Sequence, residues 1–114
     1  NYVNVLLSHE KREWFYSILL DAKIRLICPV LRSMGTVIET HVYIRSIVEA
    51  AVKFNASSII VAHNHPGGSL VPSSEVVSTT ANIVKAMNMI DVYVADHIIV
   101  CGNEYISMRD MDII

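Results

Sequence analysis

The sequence predicts a single α/β sandwich built on one mixed β-sheet. Its 114 residues are enough for one compact domain and too few for two, so we expect one domain over residues 1–114. Apolar residues make up 53% of the chain and charged residues 18%, which favours a full hydrophobic core. Short β-branched runs and two stretches of helical periodicity follow one another in the order β-β-α-β-α-β-β. This order is typical of helices packed on a mixed sheet.

The first half of the chain predicts a hairpin followed by a helix. Residues 14–20 favour a strand, Asp21-Ala22-Lys23 is typical of a turn, and residues 24–30 favour a second strand. Between Val42 and Phe54, apolar residues recur at helical spacing and the charged residues lie on the opposite side. We therefore expect an amphipathic helix there.

The second half predicts a strand, a long loop, a helix and a final pair of strands. Residues 57–62 favour a strand, and the loop 66–72 is rich in glycine and proline. Ser73 is a good N-cap for a helix that carries its apolar residues on one face. Residues 91–101 predict a long strand, which Gly102-Asn103 turns into a short return strand, 104–107.

Composition limits the classes of partner. The net charge is −2 and no cluster of lysine and arginine is present, so we expect no direct nucleic-acid binding. No signal-peptide pattern opens the chain and no apolar stretch approaches the ~20 residues of a membrane span, which favours a cytoplasmic protein. The chain begins at Asn1, which predicts a domain excised from a longer protein. A β-rich surface at this apolar content makes a homodimer plausible.

Two histidines at a strand end form the most informative motif. His63 and His65 are separated by one residue, directly after the apolar run, and Pro66 stops the strand. Two imidazoles spaced in this way can converge if the backbone leaves regular pleating at this point. Neutral imidazole is a common ligand of zinc, so the pair predicts a metal site.

A longer pattern around these histidines resembles a known family. His63-x-His65, seven further residues and Ser73 match the frame of the JAMM/MPN-type zinc metalloproteases. The string His63-Asn64-His65-Pro66-x-Gly68, followed by Pro72-Ser73-x-Glu75, resembles the RadC family of bacterial proteins, which is historically named for DNA repair. The likeness covers nearly the whole chain. It implies an MPN/JAMM-like three-layer sandwich, similar to that of cytidine deaminases.

The resemblance also implies a role for each motif residue. In such a site His63 and His65 are zinc ligands, and the metal keeps a position open for a water molecule. Glu13, just ahead of the first strand, matches the general base that takes the proton of that water and passes it to the leaving amine. Ser73 matches the serine that donates a hydrogen bond to the tetrahedral oxyanion.

The sequence departs from the family pattern at the third ligand. The family carries an aspartate three residues after the serine, where this chain has Val76, and valine has no donor atom. Glu75 is the nearest carboxylate, but one helical residue corresponds to about 100° of rotation. Asp96 and His97 are further candidates, as a substitute ligand or as support for the site, and only one of them can face it because adjacent strand residues point to opposite sides.

Two functional hypotheses remain open. The first is a zinc-dependent peptidase or isopeptidase in which Glu75 or a water molecule replaces the lost aspartate. The second is a catalytically degenerate binding or scaffold module that keeps the fold. Val76 supports the second hypothesis, whereas Glu13, Ser73 and the histidine pair support the first. The sequence identifies no peptide or isopeptide substrate.

Overall fold

A computed structural model of the chain describes residues 14–23, 25–33, 40–65 and 70–114, with the backbone alone for Trp14, 27–33 and 40–43. In chain order the elements are β1 Trp14–Leu20, β2 Leu26–Ser33, α1 Thr40–Lys53, β3 Ser58–Asn64, α2 Ser74–Met89, β4 Tyr93–Cys101 and β5 Glu104–Ser107. This order confirms the predicted α/β arrangement.

The five strands form one mixed sheet in the order β2-β1-β3-β4-β5. Strands β3 and β4 are parallel, and the other neighbours are antiparallel. A parallel pair needs a crossover connection, which α2 supplies between β3 and β4. This crossover connection runs from the end of β3, where the histidines lie, to the start of α2, where Ser73 lies.

Strand β3 is longer than predicted. It runs to Asn64 instead of ending at Ala62, so His63 belongs to the strand. Phe15 of β1 and Ile99 of β4 both pair with His63, one from each side. Pairing on two sides keeps the backbone extended past the apolar run, and a pattern of apolar residues cannot show this.

Two other strand boundaries differ from the prediction. Strand β2 occupies Leu26–Ser33 instead of residues 24–30. Strand β4 begins at Tyr93 because Asp91 has a φ of 58°, in the left-handed region. A residue with positive φ belongs to the turn that follows α2 and cannot continue a strand.

Helix α2 begins and packs as predicted. The side chain of Ser73 accepts a hydrogen bond from the backbone N–H of Val76, which makes Ser73 the N-cap. Thr80, Ile83 and Met87 form its buried face. In the described part of the chain, no helix is both long and apolar enough to cross a membrane.

The main core lies between the sheet and the two helices. Both α1 and α2 contribute to it, so they cover the same face of the sheet. The core residues are Phe15, Leu19, Ile47, Ala50, Ala51, Ala56, Ile59, Val61, Ile83, Met87, Val92 and Val94. On the opposite face, a smaller apolar cluster contains Ile18, Leu20, Ala62, Ile98 and Val100. Since the described helices cover one face only, the third layer of the sandwich stays a prediction.

One irregularity in β4 decides which side chains face the helices. The pairing with β3 matches Ile59 with Val94 and then Ile60 with Asp96, so the register skips Ala95. A shift of one residue moves every later side chain to the other face of the sheet. His97 therefore points toward the helices, on the face where Asp96 would otherwise lie.

The C-terminal segment holds this irregularity in place. The guanidinium of Arg109 donates to the backbone oxygens of Val94 and Ala95, at 2.7 and 2.5 Å. The carboxylate of Asp96 accepts hydrogen bonds from the backbone N–H groups of His97 and Arg109, at 2.7 and 3.1 Å, and from the hydroxyl of Ser107. We call Asp96, Ser107 and Arg109 the C-terminal clamp.

Asp96→Ala should destabilise the domain, because it leaves three half-buried donors without their acceptor. The expected loss is roughly 1–3 kcal/mol in the free energy of unfolding, measured by urea denaturation. Asp110→Ala is the matched control, since it removes an exposed carboxylate from the residue next to Arg109. Equal stability of the two variants would contradict a clamping role for Asp96.

Candidate metal site

His63 and His65 converge at the end of β3. Their Nε2 atoms lie 2.7 Å apart, and the rings meet edge to face with centroids 4.4 Å apart. His63 is buried and His65 is half-buried. Strand β3 ends at Asn64, so His65 stands just outside the regular pleat and its ring can turn back toward His63. The predicted convergence of the two imidazoles is present.

The histidine pair suits two positions of a zinc site. Two nitrogens on one tetrahedral zinc ion, each ~2.0–2.1 Å from the metal, are about 3.3 Å apart. From the observed 2.7 Å, the two nitrogens would have to separate by about 0.6 Å to reach that spacing. Among the described residues, however, no group of three His, Cys, Asp or Glu side chains is arranged to hold a metal. If a catalytic zinc were bound here, the described residues would supply two of its three protein ligands.

The first turn of α2 contains Val76, where the RadC resemblance predicts an aspartate. Val76 lies four residues before Thr80 and therefore on the same face of the helix, and this face looks toward the histidines. Glu75 is exposed in the first helical turn, where its charge favours the helix dipole. Ser73 accepts from the Val76 N–H at 3.2 Å, which leaves its hydroxyl proton available to a bound group.

His97 supplies a third imidazole, which is hydrogen-bonded to that of His63. Nε2 of His97 lies 2.7 Å from Nδ1 of His63, and Nδ1 of His97 lies 2.7 Å from the hydroxyl of Thr80. That hydroxyl donates to the backbone oxygen of Val76 at 2.7 Å. His97, one of the two β4 candidates, is thus joined to the histidine pair by a hydrogen bond, whereas Asp96 belongs to the C-terminal clamp.

Strand β1 supplies an aromatic wall. The ring of Phe15 stacks on that of His63, with centroids 4.6 Å apart and planes at 9°, and it meets His97 edge-on. Phe15 also pairs with His63 in the sheet, so β1 begins beside the histidine end of β3. Glu13, the predicted general base, lies outside the described residues.

Burial keeps the two inner imidazoles neutral. It lowers the pKa of His63 to about 2, with smaller contributions from His97 and His65, and lowers the pKa of His97 to about 3. A charged imidazole there would lose its hydration without gaining a carboxylate. Neutral imidazole is also the form that binds a metal.

Two residues that contact the buried histidines, Thr80 and Phe15, were not predicted from the sequence to be part of the site. Thr80 lies in the helix predicted after Ser73 and Phe15 lies in the strand predicted at residues 14–20, but the sequence indicates no site role for either. A threonine four residues after the family's ligand position is a usable signal for a side chain near the site. The stacking of Phe15 carries no local signal, because it depends on the register between β1 and β3.

Comparison with known proteins agrees with this geometry. The family model described as the RadC-like JAB domain matches residues 1–113. A UPF0758 protein of Finegoldia magna is 43% identical over 97 residues, which is 85% of this chain and 44% of that protein. A UPF0758 protein of Neisseria meningitidis serogroup B is 40% identical over 111 residues, which is 97% of this chain and 49% of that protein. The chain spans about half the length of the curated relatives it matches.

The fold and the family model together assign the chain to the JAB/MPN-type domains. Within that class, the match over residues 1–113 places the chain in the RadC-like JAB family.

The stability of the metal-free domain should fall as the pH drops from about 6.5 toward 3. An ordinary histidine in the unfolded chain has a pKa near 6.5, whereas His63 and His97 stay neutral in the fold, so the unfolded state binds more protons in that window. Between pH 7 and pH 5 each buried imidazole should remove roughly 1–2 kcal/mol of unfolding free energy. Above pH 7 the two histidines add no pH dependence.

Urea denaturation with a chelator at pH 7 and pH 5 checks this expectation. His97→Gln should lose less stability than the unmodified chain between the two pH values, whatever its stability at pH 7. An identical loss in both proteins would contradict neutral burial of His97.

Proposed function

We propose that this chain is a zinc-dependent hydrolase-type domain for peptide or isopeptide bonds, with His63 and His65 as the protein ligands of the metal. The observation that carries the proposal is the 2.7 Å approach of the two Nε2 atoms at the end of β3. Membership of the RadC-like JAB family supports it. Since the chain spans about half of its relatives, the activity of a longer protein is part of the proposal.

The residues would divide the chemistry as follows. His63 and His65 would hold the zinc ion, which when bound would supply a water molecule of lowered pKa and polarise the scissile carbonyl. Glu13 would accept the proton of that water and pass it to the leaving amine. The hydroxyl of Ser73 would donate to the oxyanion while its oxygen continues to cap α2.

Val76 limits this activity. With valine at the third position, a water molecule or Glu75 has to complete the ligand set, and Glu75 is exposed in the first turn of α2. Two neutral imidazoles would also leave the positive charge of a bound zinc ion uncompensated, whereas a carboxylate ligand would reduce it. We therefore propose that zinc binds weakly and that the fragment has little or no peptidase activity.

A second candidate function is a non-catalytic binding or scaffold module. Val76 and the lack of a three-ligand group among the described residues favour it. In this case the buried imidazoles serve only to complete the fold, and the partner is a protein or peptide. We propose that any role in DNA repair, for which the RadC family is named, would be that of such a binding module. The net charge of −2 argues against direct contact with nucleic acid.

The location and assembly of the chain remain proposals as well. We propose a cytoplasmic protein that does not insert into membranes. A homodimer is consistent with large apolar side chains exposed on the surface, such as Val52, Val71 and Met89.

Val76→Asp should raise the affinity for zinc. The new carboxylate lies on the helix face that looks toward the histidines and completes the three-ligand set. The gain should exceed the roughly 10–100-fold that outer-shell partners contribute, as measured by calorimetric titration of untagged protein with zinc. His63→Ala and His65→Ala should each abolish stoichiometric binding.

The matched control for this substitution is Val77→Asp. Val77 is exposed on the same helix, so this change adds the same charge away from the histidines. Equal zinc affinities of Val76→Asp and the unmodified chain would mean that another residue already serves as the third ligand.

The unmodified chain should show little or no turnover on a panel of peptides and isopeptides. Val76→Asp should gain zinc-dependent activity, and Val76→Asp combined with Glu13→Gln should lose it, because the general base is then missing. Robust zinc-dependent turnover by the unmodified chain, abolished by Glu13→Gln, would defeat the two-ligand argument. No turnover by Val76→Asp despite tight zinc binding would favour the binding module.

A further inference from the structure

We propose that Thr80 and His97 are positioning residues that hold His63 in a single tautomer, with the proton on Nδ1 and the lone pair of Nε2 directed toward His65. The purpose of this arrangement, to present a metal ligand, rests on the proposed function. The tautomer itself is a property of the metal-free protein and can be measured without a metal. We call the hydrogen-bonded row of Val76 oxygen, Thr80, His97 and His63 the relay.

A count of protons gives the relay its direction. The backbone oxygen of Val76 can only accept, so the single hydroxyl proton of Thr80 is used in the 2.7 Å contact with that oxygen. The hydroxyl must then accept in its 2.7 Å contact with His97, which places a proton on Nδ1 of His97. A neutral imidazole carries only one proton, so Nε2 of His97 is an acceptor.

The next step of the relay reaches His63. Because Nε2 of His97 is an acceptor, the 2.7 Å contact with Nδ1 of His63 requires the proton on that Nδ1. Nε2 of His63 then holds a lone pair. In its 2.7 Å contact with His65 this atom accepts, and the proton lies on Nε2 of His65.

Burial prevents the opposite arrangement. Both His63 and His97 have no exposed surface, so neither ring can exchange a relay partner for water. Phe15, stacked on His63, restrains the ring plane. Reversing the relay would place the Thr80 oxygen and the Val76 oxygen 2.7 Å apart with no proton between them, which is repulsive. The backbone oxygen of the helix therefore dictates the tautomer of a histidine three contacts away.

The relay makes the two candidate ligands unequal. His63 is already in the form that can coordinate through Nε2. His65 lies at the surface end of the row and must give up the proton on its Nε2 before it can bind a metal through that atom. Metal binding should thus change the protonated nitrogen of His65 and leave that of His63 unchanged.

Long-range ¹H–¹⁵N correlation spectra of metal-free protein labelled at histidine test the proposal, since they identify the ring nitrogen that carries the proton. We expect the Nδ1–H form for both His63 and His97 in the unmodified chain. A dominant Nε2–H form of His63 overturns the proposal, and this readout needs no variant.

Thr80→Val tests the role of the hydroxyl at nearly constant volume. It should leave Nδ1 of His97 without an acceptor, convert His63 to a mixture of tautomers, and weaken zinc binding about 10–100-fold. Thr80→Ser should retain the unmodified spectrum. Thr79→Val is the matched control, the same change one residue away on α2, and should leave both histidines as they are.

The outcomes separate the two proposals. An unchanged His63 spectrum in folded Thr80→Val overturns the positioning role. If the unmodified chain shows the expected tautomers and Thr80→Val disturbs them, the positioning role stands even where neither protein binds zinc, and in that case only the proposed hydrolase function fails. Should Thr80→Val not fold, the tautomer of the unmodified chain together with Thr80→Ser decides.

Discussion

The buried hydrogen bond between His63 and His97 is the contact on which the site depends. It joins the two parallel strands at the centre of the sheet, and through Thr80 it ties them to the helix that connects those strands. Each imidazole enters the core neutral, because burial lowers the pKa of both. A polar group without a partner would be costly there, so the helix, the two strands and the histidine pair are positioned together.

This contact exists because the register between β3 and β4 skips Ala95, two residues before His97. Had β4 kept regular alternation after Val94, Asp96 would face the helices and His97 would lie on the other side of the sheet. The C-terminal clamp stabilises this irregularity in two ways. Arg109 donates hydrogen bonds to the backbone oxygens of Val94 and Ala95. The carboxylate of Asp96 accepts three hydrogen bonds. Ser107 and Arg109, which are not candidate ligands, thus help to determine which β4 side chain reaches the site.

The site is well formed on one side and incomplete on the other. On the sheet side, the two histidines converge and His63 is supported by a relay and an aromatic wall. On the helix side, the capping serine is in place, but Val76, which has no donor atom, stands where the RadC resemblance predicts an aspartate. Apolar side chains of similar volume would fill a core at lower cost, so the buried imidazoles are tolerated there because each finds a hydrogen-bond partner.

The sequence by itself determined the order of the elements, the helix that begins after Ser73 and the histidine pair at the end of β3. These features follow from local causes: apolar periodicity, the capping preference of serine, and the inability of proline to continue a strand. Through its resemblance to the RadC family, the sequence also predicted that Val76 stands where a third ligand is expected. It left open whether Asp96 or His97 supports the site, and it attached no role to Thr80 or Phe15. Only the tertiary structure decided these points, because they depend on how β4 is registered against β3 and β1 against β3. Strand register is a property of pairs of segments, held here by contacts from Arg109 at the far end of the chain, and no local pattern in one strand encodes it.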